Sequence, residues 1–278
     1  MALKLMYITN NPELASIADE AGVDYLFIDM EYIGKSERQK GLDTVQLHHT
    51  IKDIQLIKKT LSKAKLLVRV NKIHPATNDY ISSEDEIDQA IENGADMLML
   101  PYFKTLEEVS FFLKTVNGRC QTMLLIETPE AVEILDEILK LKGIDSIHIG
   151  LNDLSIGYKK SFMFELLADG TVENICSKIQ CANIPYGFGG IAKLGYGAIP
   201  AEMIIQEHYR LKSSFAILSR SFFNEKDYIN YSESRKCFIH ELNKIREFES
   251  QCLSITNESF EENRKKILYL VNKEKINA

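Results

Sequence analysis

The sequence predicts a closed α/β barrel of eight parallel strands, a (β/α)8 TIM barrel, with helices appended at its C-terminus. Three observations predict it. Short runs continuous in apolar residues alternate with segments whose apolar residues recur at helical spacing, the pattern of buried parallel strands covered outside by helices. Eight such units fill roughly 220 residues, close to the usual size of such a barrel. The competing arrangement, a doubly wound open sheet, would place a G-x-G-x-x-G fingerprint after the first strand. None stands there, and Gly187, Gly189 and Gly190 come late.

Leu3–Thr9 reads as the first strand. Asn11 and Pro12 open a helix with Leu14, Ile17 and Ala18 on one face, and Gly22 ends it. Tyr25–Asp29 is the second strand. Met30, Glu31 and Tyr32 follow, then a polar loop with Lys35, Arg38 and Lys40, cations expected to be exposed. Ile51, Ile54, Ile57 and Leu61 mark the next helix; His48 and His49, in or near it, are expected to face solvent. Leu66–Val70 is the third strand and carries Arg69, and Ile73–Ser83 is loop. A helix through Ile87 and Ala90 stops at Gly94, and Asp96–Leu100 is the fourth strand, ended by Pro101. Leu106, Val109, Leu113 and Val116 form a helix that stops near Gly118. Met123–Ile126 is the fifth strand. Thr128 offers an N-cap, Pro129 suits the first helical position, and Ala131, Ile134, Leu135 and Ile138 continue one helix towards Gly143. Ile144–Ile149 is the sixth strand. A long connection containing Ser161–Leu167 leads to a helix from about Thr171 to Ala182. Pro185–Gly190 is the seventh strand, Ala198–Leu211 a helix, and Phe215–Leu218 the eighth strand.

Beyond Asn224 the chain turns rich in Lys, Glu and Asn, with Phe238, Leu242 and Ile245, then Ile267, Leu268 and Val271, at helical spacing. Residues 1–224 are therefore expected to form the catalytic barrel and 225–278 a helical extension. Such helices cover a barrel's base or join subunits, and a homo-oligomer is expected.

Composition narrows the function. A net charge of -7 implies no basic face, which argues against a nucleic-acid partner. No apolar run approaches the ~20 residues of a membrane span, and no basic stretch leads into an apolar one at the start. Five scattered cysteines without a C-x-x-C pair read as reduced thiols. A cytoplasmic protein with a small-molecule partner is expected.

In such a barrel the chemistry lies at the carboxyl ends of the strands. Polar residues there are Asp29 and Glu31 after strand two, Arg69 and Asn71 at strand three, and Glu127 after strand five. Asn152, Asp153 and Ser155 follow strand six, Gly189 and Gly190 end strand seven, and Ser219 and Arg220 follow strand eight. Neighbouring parallel strands lie roughly 5 Å apart, so Glu127 and Asp153 can face one space. Two carboxylates, with water and substrate oxygens completing the shell, is a usual way to hold Mg²⁺. Arginine is the available fork for a carboxylate or enolate. Each residue alone also has a structural reading: Glu127 at a helix N-terminus, Asp153 as a cap, Arg69 as an ion-pair partner.

The words YLFIDMEY, LLVRV, MLMLPYFKTLEE, LLIETPEAV and IHIGLNDLS, in that order from about Val23 to Ser155, resemble the HpcH/HpaI aldolase and citrate lyase β-subunit superfamily. The resemblance implies a (β/α)8 barrel, a divalent metal (Mg²⁺ or Mn²⁺), and the making or breaking of a carbon–carbon bond next to a carboxylate or thioester. Carried over by motif, Glu127 and Asp153 are the metal ligands and Arg69 holds the substrate carbonyl or enolate. Asp29 and Glu31 match the acidic catalytic pair, and Asn152 is expected to meet the substrate, a small carboxylate. One position departs: pyruvate-type aldolases carry D-x-E-H, with a proton-transfer histidine where this chain has Tyr32. The citrate lyase branch has an acidic residue there. Tyrosine is a poor base near neutrality.

The chemistry expected is therefore a class II aldolase type of lyase acting on a 2-keto acid or related carboxylate. The base is left open among a water at the metal, a substrate phosphate and a nearby histidine. Two alternatives stand beside it: an acyl-CoA lyase or thioesterase of the citrate lyase β/malyl-CoA type, and a non-catalytic metabolite-binding barrel that has lost its proton-transfer residue.

Overall fold

A computed structural model of the chain describes residues 2–35, 49–224 and 230–277. Eight parallel strands close into a barrel in sequence order: β1 (Lys4–Ile8), β2 (Tyr25–Asp29), β3 (Lys65–Arg69), β4 (Met97–Leu100), β5 (Gln121–Ile126), β6 (Ser146–Ile149), β7 (Tyr186–Ile191) and β8 (Phe215–Leu218), with β8 pairing back onto β1. The (β/α)8 expectation holds.

Strand side chains alternate between two cores. One set, including Met6, Phe27, Leu67, Met99, Met123 and Phe215, fills the barrel interior. The opposite set, such as Leu26, Val68, Leu98 and Leu124, packs outward against the helices. This parity decides which residues at the strand ends point into the mouth.

Three differences from the expected elements have local causes. β6 begins at Ser146, not Ile144, because Asp145 turns to β5: its carboxylate accepts the Thr122 N–H at 2.8 Å and its own N–H donates to the Thr122 hydroxyl at 3.1 Å. The helix after β5 is split into Pro129–Glu133 and Leu135–Ile138, where Ile134 (φ -95°, ψ 13°) leaves the helical region. The helix expected from Ala198 starts at Ala201, since Pro200 disfavours helical backbone in the residue before it. The Thr128 cap forms as expected, its hydroxyl accepting the Ala131 N–H at 3.1 Å and donating to the Phe103 carbonyl at 2.8 Å.

After β8 the helices Tyr231–Cys252 and Asn257–Asn277 pack onto the barrel. Phe238 sits fully buried among the rings of Tyr7, Phe222 and Phe223, with centroids 5.0, 5.1 and 5.2 Å away. Glu249 accepts the Leu3 N–H at 2.7 Å and Arg246 donates to the Leu3 carbonyl at 2.7 Å, which fastens the first of these helices to the start of β1. Among the described residues no helix is long and apolar enough to cross a membrane.

Candidate functional site

Asp29 and Arg69 share the inward parity of Phe27 and Leu67, and the β2–β3 register sets them side by side. Both therefore rise from the barrel interior at its C-terminal mouth. The Arg69 guanidinium grips the Asp29 carboxylate through two parallel bonds, Nε to Oδ1 at 2.8 Å and Nη2 to Oδ2 at 2.7 Å. Glu31 Oε2 lies 3.5 Å from Arg69 Nη1. Burial alone would raise the Asp29 carboxyl, but the Arg69 and Lys35 cations overcome it and hold it well below the usual carboxylate range. Burial would likewise weaken the Arg69 cation, and Asp29 and Glu31 more than restore it.

Lys35 and His49 overturn two expectations. Lys35 is not an exposed loop cation: it is buried, with its ammonium 2.9 Å from Asp29 Oδ2 and 3.4 Å from Glu31 Oε2. His49 does not face solvent either. It is buried before the helix Ile51–Lys58, and its Nδ1 accepts the Asp29 backbone N–H at 3.0 Å. That bond leaves the proton of the neutral ring on Nε2, and burial pushes its pKa down. Charge and polarity marked both residues as solvated, and only the path of the chain after β2 brings them inside. His48, Arg38 and Lys40 lie outside the described residues.

Asn71 ties the turn after β2 to β3. Its side-chain oxygen accepts the N–H groups of Tyr32 and Ile33, each at 3.0 Å, and its amide donates to Glu86 at 2.8 Å. Burial first, and then the Glu86 carboxylate, push the Tyr32 phenol above its usual value. Tyr32 is thus a neutral phenol, unsuited to take a proton near neutrality.

Across the mouth, Glu127 follows β5 with the inward parity of Met123 and Leu125 and is 2% exposed. Its Oε1 accepts the Tyr102 N–H at 2.9 Å. Tyr102 holds φ +47°, a left-handed conformation uncommon for a side-chain-bearing residue, and this turn after β4 aims its N–H at the carboxylate. Gly150, directly after β6, leaves space beside the other oxygen: a Cβ there would lie 2.9 Å from both Glu127 Cβ and Oε2. Asp153 sits in the first turn of a helix, Leu151–Gly157, that starts at once after β6. Glu127 and Asp153 line one cleft of about 510 Å³ together with Tyr102, Lys104, Thr128 and Glu130. Lys104 is bound to Glu130 at 2.7 Å. Asn152 is half-buried on the same short helix, its carbonyl accepting the Ser155 hydroxyl at 2.7 Å.

The structure thus gathers Asp29, Glu31 and Arg69 at β2–β3, and Glu127, Asn152 and Asp153 at β5–β6. Arg220 is exposed. His148, which strand reading passes over, shares the inward parity of Ser146. It is 1% exposed, its Nε2–H donates to the Gly189 carbonyl at 3.1 Å, and burial first, then Arg69, pushes its pKa down to about 4. Inward alternation along β6 was the signal for it. Among the described residues no cluster of three or more His, Cys, Asp or Glu side chains is placed to hold a metal. Glu127 and Asp153 are hard oxygen donors, two carboxylates of the kind that hold Mg²⁺ with water and substrate completing the shell. The bare Cα of Gly150 keeps room beside one of them.

Known proteins share the fold and match most of the chain. The HpcH/HpaI aldolase/citrate lyase family model matches residues 4–183. The 2-keto-3-deoxy-L-rhamnonate aldolase of Escherichia coli O6:K15:H31 (strain 536 / UPEC) is 24% identical over 212 residues, covering 64% of this chain and 71% of that protein. Two solved structures share the fold. An HpcH/HpaI aldolase/citrate lyase family protein from Burkholderia cenocepacia J2315 has a TM-score of 0.59 at 14% identity, covering 78% of this chain and 87% of that one. The HpcH/HpaI aldolase from Desulfitobacterium hafniense DCB-2 has a TM-score of 0.55 at 17% identity, covering 78% and 86%. The family match spans β1 to β6 and both groups of site residues, and the chain therefore belongs to the HpcH/HpaI aldolase/citrate lyase family.

Proposed function

We propose that this protein is a metal-dependent carbon–carbon lyase of the class II aldolase type, acting on a 2-keto acid or a related small carboxylate through an enolate. Glu127 and Asp153 would hold Mg²⁺ or Mn²⁺. The observation that carries the reading is their sharing one cleft at the strand mouths, with Arg69 locked on the strand two places away. The E. coli relative is by name an aldolase of a 2-keto-3-deoxy acid, and this supports the substrate class. A divalent ion bound there supplies a Lewis acid for the enolate oxygen.

The chain's own residues supply the rest. Asp29 fixes the Arg69 guanidinium at Nε and Nη2, so the remaining N–H edge is set before substrate arrives. A preset positive charge stabilises developing negative charge without reorganising at the moment of reaction. Tyr102 orients Glu127 through its backbone N–H. Asn152, beside Asp153, would meet the substrate carboxylate in this reading. Neither Tyr32 nor His49 is assigned the base: the phenol is pushed up, and the one basic nitrogen of the imidazole, Nδ1, is taken by the Asp29 backbone N–H. Turnover of a panel of 2-keto-acid aldols, followed by pyruvate release with and without Mg²⁺, tests the reading. Cleavage that persists without any divalent ion would overturn it.

Tyr32 favours a second reading, a barrel that binds a metabolite without turning it over. Metal binding with no cleavage of any aldol or acyl-CoA thioester would support that reading, most sharply if Tyr32→His then created aldolase activity.

A further inference from the structure

The helix Leu151–Gly157, which brings Asn152 and Asp153 to the mouth, is short and gripped at both ends. At its far end a Cβ on Gly157 would lie 2.5 Å from Pro129 Cδ, so the missing side chain lets the helix close onto the segment after β5. At its start Leu151, 2% exposed, packs on β7: a Cβ on Gly189 would lie 2.7 Å from Leu151 Cδ1. Where Gly189 stands therefore sets where the helix begins.

Gly189 stands at an irregularity. Gly187 pairs with Phe215 and Gly190 with Ile217, so β7 takes three steps where β8 takes two. The extra residue makes a β-bulge, and Gly189 accommodates it with φ +53°, a left-handed conformation that suits glycine. A bulge re-aims the chain but disturbs the regular ladder around it. Here the Gly189 carbonyl accepts the Nε2–H of His148 at 3.1 Å, from inside the barrel.

That bond is what His148 contributes. Its Nδ1 is buried without a hydrogen-bond partner, and an unsatisfied buried acceptor is costly. An apolar side chain would fill the same interior position at lower cost. What only a polar residue supplies there is the donor that meets the bulge.

We propose that His148 is a positioning residue of the candidate metal site: by holding the Gly189 carbonyl it fixes the β7 bulge, and through Leu151 the bulge fixes the helix that carries Asp153. The inference rests on the reading of Asp153 as a metal ligand for its consequence, but the placement of the helix can be read without metal.

The test uses the full chain carrying His148→Leu, which removes the donor, or His148→Gln, which keeps one. The readouts are Mg²⁺ affinity by calorimetry and the backbone amide resonances of Leu151, Asn152 and Asp153 by NMR. Neither variant has the imidazole ring, so comparing the two removes the direct effect of the ring on those resonances. His148→Leu is expected to weaken Mg²⁺ about tenfold, the scale on which residues behind the ligands act, and to shift the three amides. His148→Gln should keep Mg²⁺ affinity within about twofold and leave the amides near their original positions. A merely structural histidine would lower the melting temperature of both variants and leave affinity and amides unchanged, and that result overturns the proposal. Equal weakening in both variants overturns it too, because the donor would then not be what matters. If the unaltered protein binds no Mg²⁺, the metal reading fails by itself. Amides that shift in His148→Leu and not in His148→Gln then still support the positioning role, and amides alike in both decide against it. Should His148→Leu not fold, Leu151→Val shortens the side chain that meets Gly189 and leaves His148 in place. It should weaken Mg²⁺ severalfold; an unchanged affinity, or an unmoved Asp153 amide where no ion binds, decides against the proposal.

Discussion

The two halves of the mouth place carboxylates in opposite electrostatic settings. At β2–β3, Asp29 and Glu31 are neutralised by Arg69 and Lys35 from within the chain. At β5–β6, Glu127 and Asp153 line a cleft whose cation, Lys104, is engaged with Glu130. The first half carries cations of its own, with Arg69 chelating Asp29 and Lys35 beside it. The second gathers negative charge in a space of about 510 Å³, an arrangement that favours an incoming cation. Under the proposed lyase reading, an enolate would be stabilised from both sides: by one positive charge fixed in advance, and by one that would arrive with the ion.

The largest expected effect breaks the β5–β6 half. Glu127→Gln should reduce metal-dependent turnover by about a thousandfold or more, the scale on which removal of a principal electrostatic contact acts. The fold should survive, because the substitution removes a charge from an acidic cleft. Magnesium at a hundred times its dissociation constant should stabilise the unaltered protein by about 2.7 kcal/mol and the variant by little or nothing. Equal stabilisation of both, measured by thermal melting, would place the ion elsewhere.

Arg69→Met breaks the other half. It removes the guanidinium that chelates the buried Asp29 carboxylate, and removal of one partner from a buried ion pair costs about 3–5 kcal/mol. Urea unfolding should show that loss, whereas Glu127→Gln should not. If the two variants lose stability equally, the contrast between a self-neutralised half and an ion-awaiting half is wrong.

How much of this was legible in the sequence follows from what periodicity can encode. Asp29, Arg69 and Glu127 were legible because alternation along a strand decides which side its last residues face, and eight repeated units decide which end carries the chemistry. Asp153 was read as lying past β6, and it lies in the first turn of a helix. Lys35 and His49 were read as solvated because both sit in a polar stretch. Their burial depends on a turn through Gly34 and on a backbone N–H of Asp29, neither of which leaves a period in the sequence. Tyr102 was illegible for a related reason: a positive φ at a tyrosine has no residue-type signature, and it exists because the turn after β4 is held from outside.

A pH series sharpens the comparison. His148 lies inside the barrel, and burial, together with the Arg69 charge, lowers its pKa from 6.5 to about 4. Because the folded value is depressed, its contribution to stability is full above pH 6.5 and is lost as the pH falls towards 4, where the unfolded chain takes a proton the folded chain refuses. The loss over that window should be about 3 kcal/mol. His208, also buried and pushed down to about 3, adds to the same slope. Asp29 acts lower: its carboxyl is held below its ordinary 3.8, so its contribution is full above that value and is lost on further acidification. His148→Gln, which keeps a donor for the Gly189 carbonyl, should flatten the upper window and leave the lower one. A slope between pH 6.5 and 4 that His148→Gln does not change would show that the imidazole is not held neutral by its burial inside the barrel.

The smallest expected effect is at Gly150. Its φ is -84°, which any residue adopts, so the glycine is required for space and not for backbone freedom. Gly150→Ala would set a methyl 2.9 Å from Glu127 Cβ and Oε2 and 3.3 Å from Leu125 Cδ1. Overpacking of this kind costs about 1–3 kcal/mol, and the side chain best able to give way is the carboxylate. The stability change should therefore stay near the lower end of that range while Mg²⁺ affinity, measured by calorimetry, falls about tenfold. The reverse pattern, a large loss of stability with unchanged affinity, would mean that Glu127 stays put and the barrel yields instead. The space beside Glu127 would then serve the packing of β5 on β6 and not the seating of an ion.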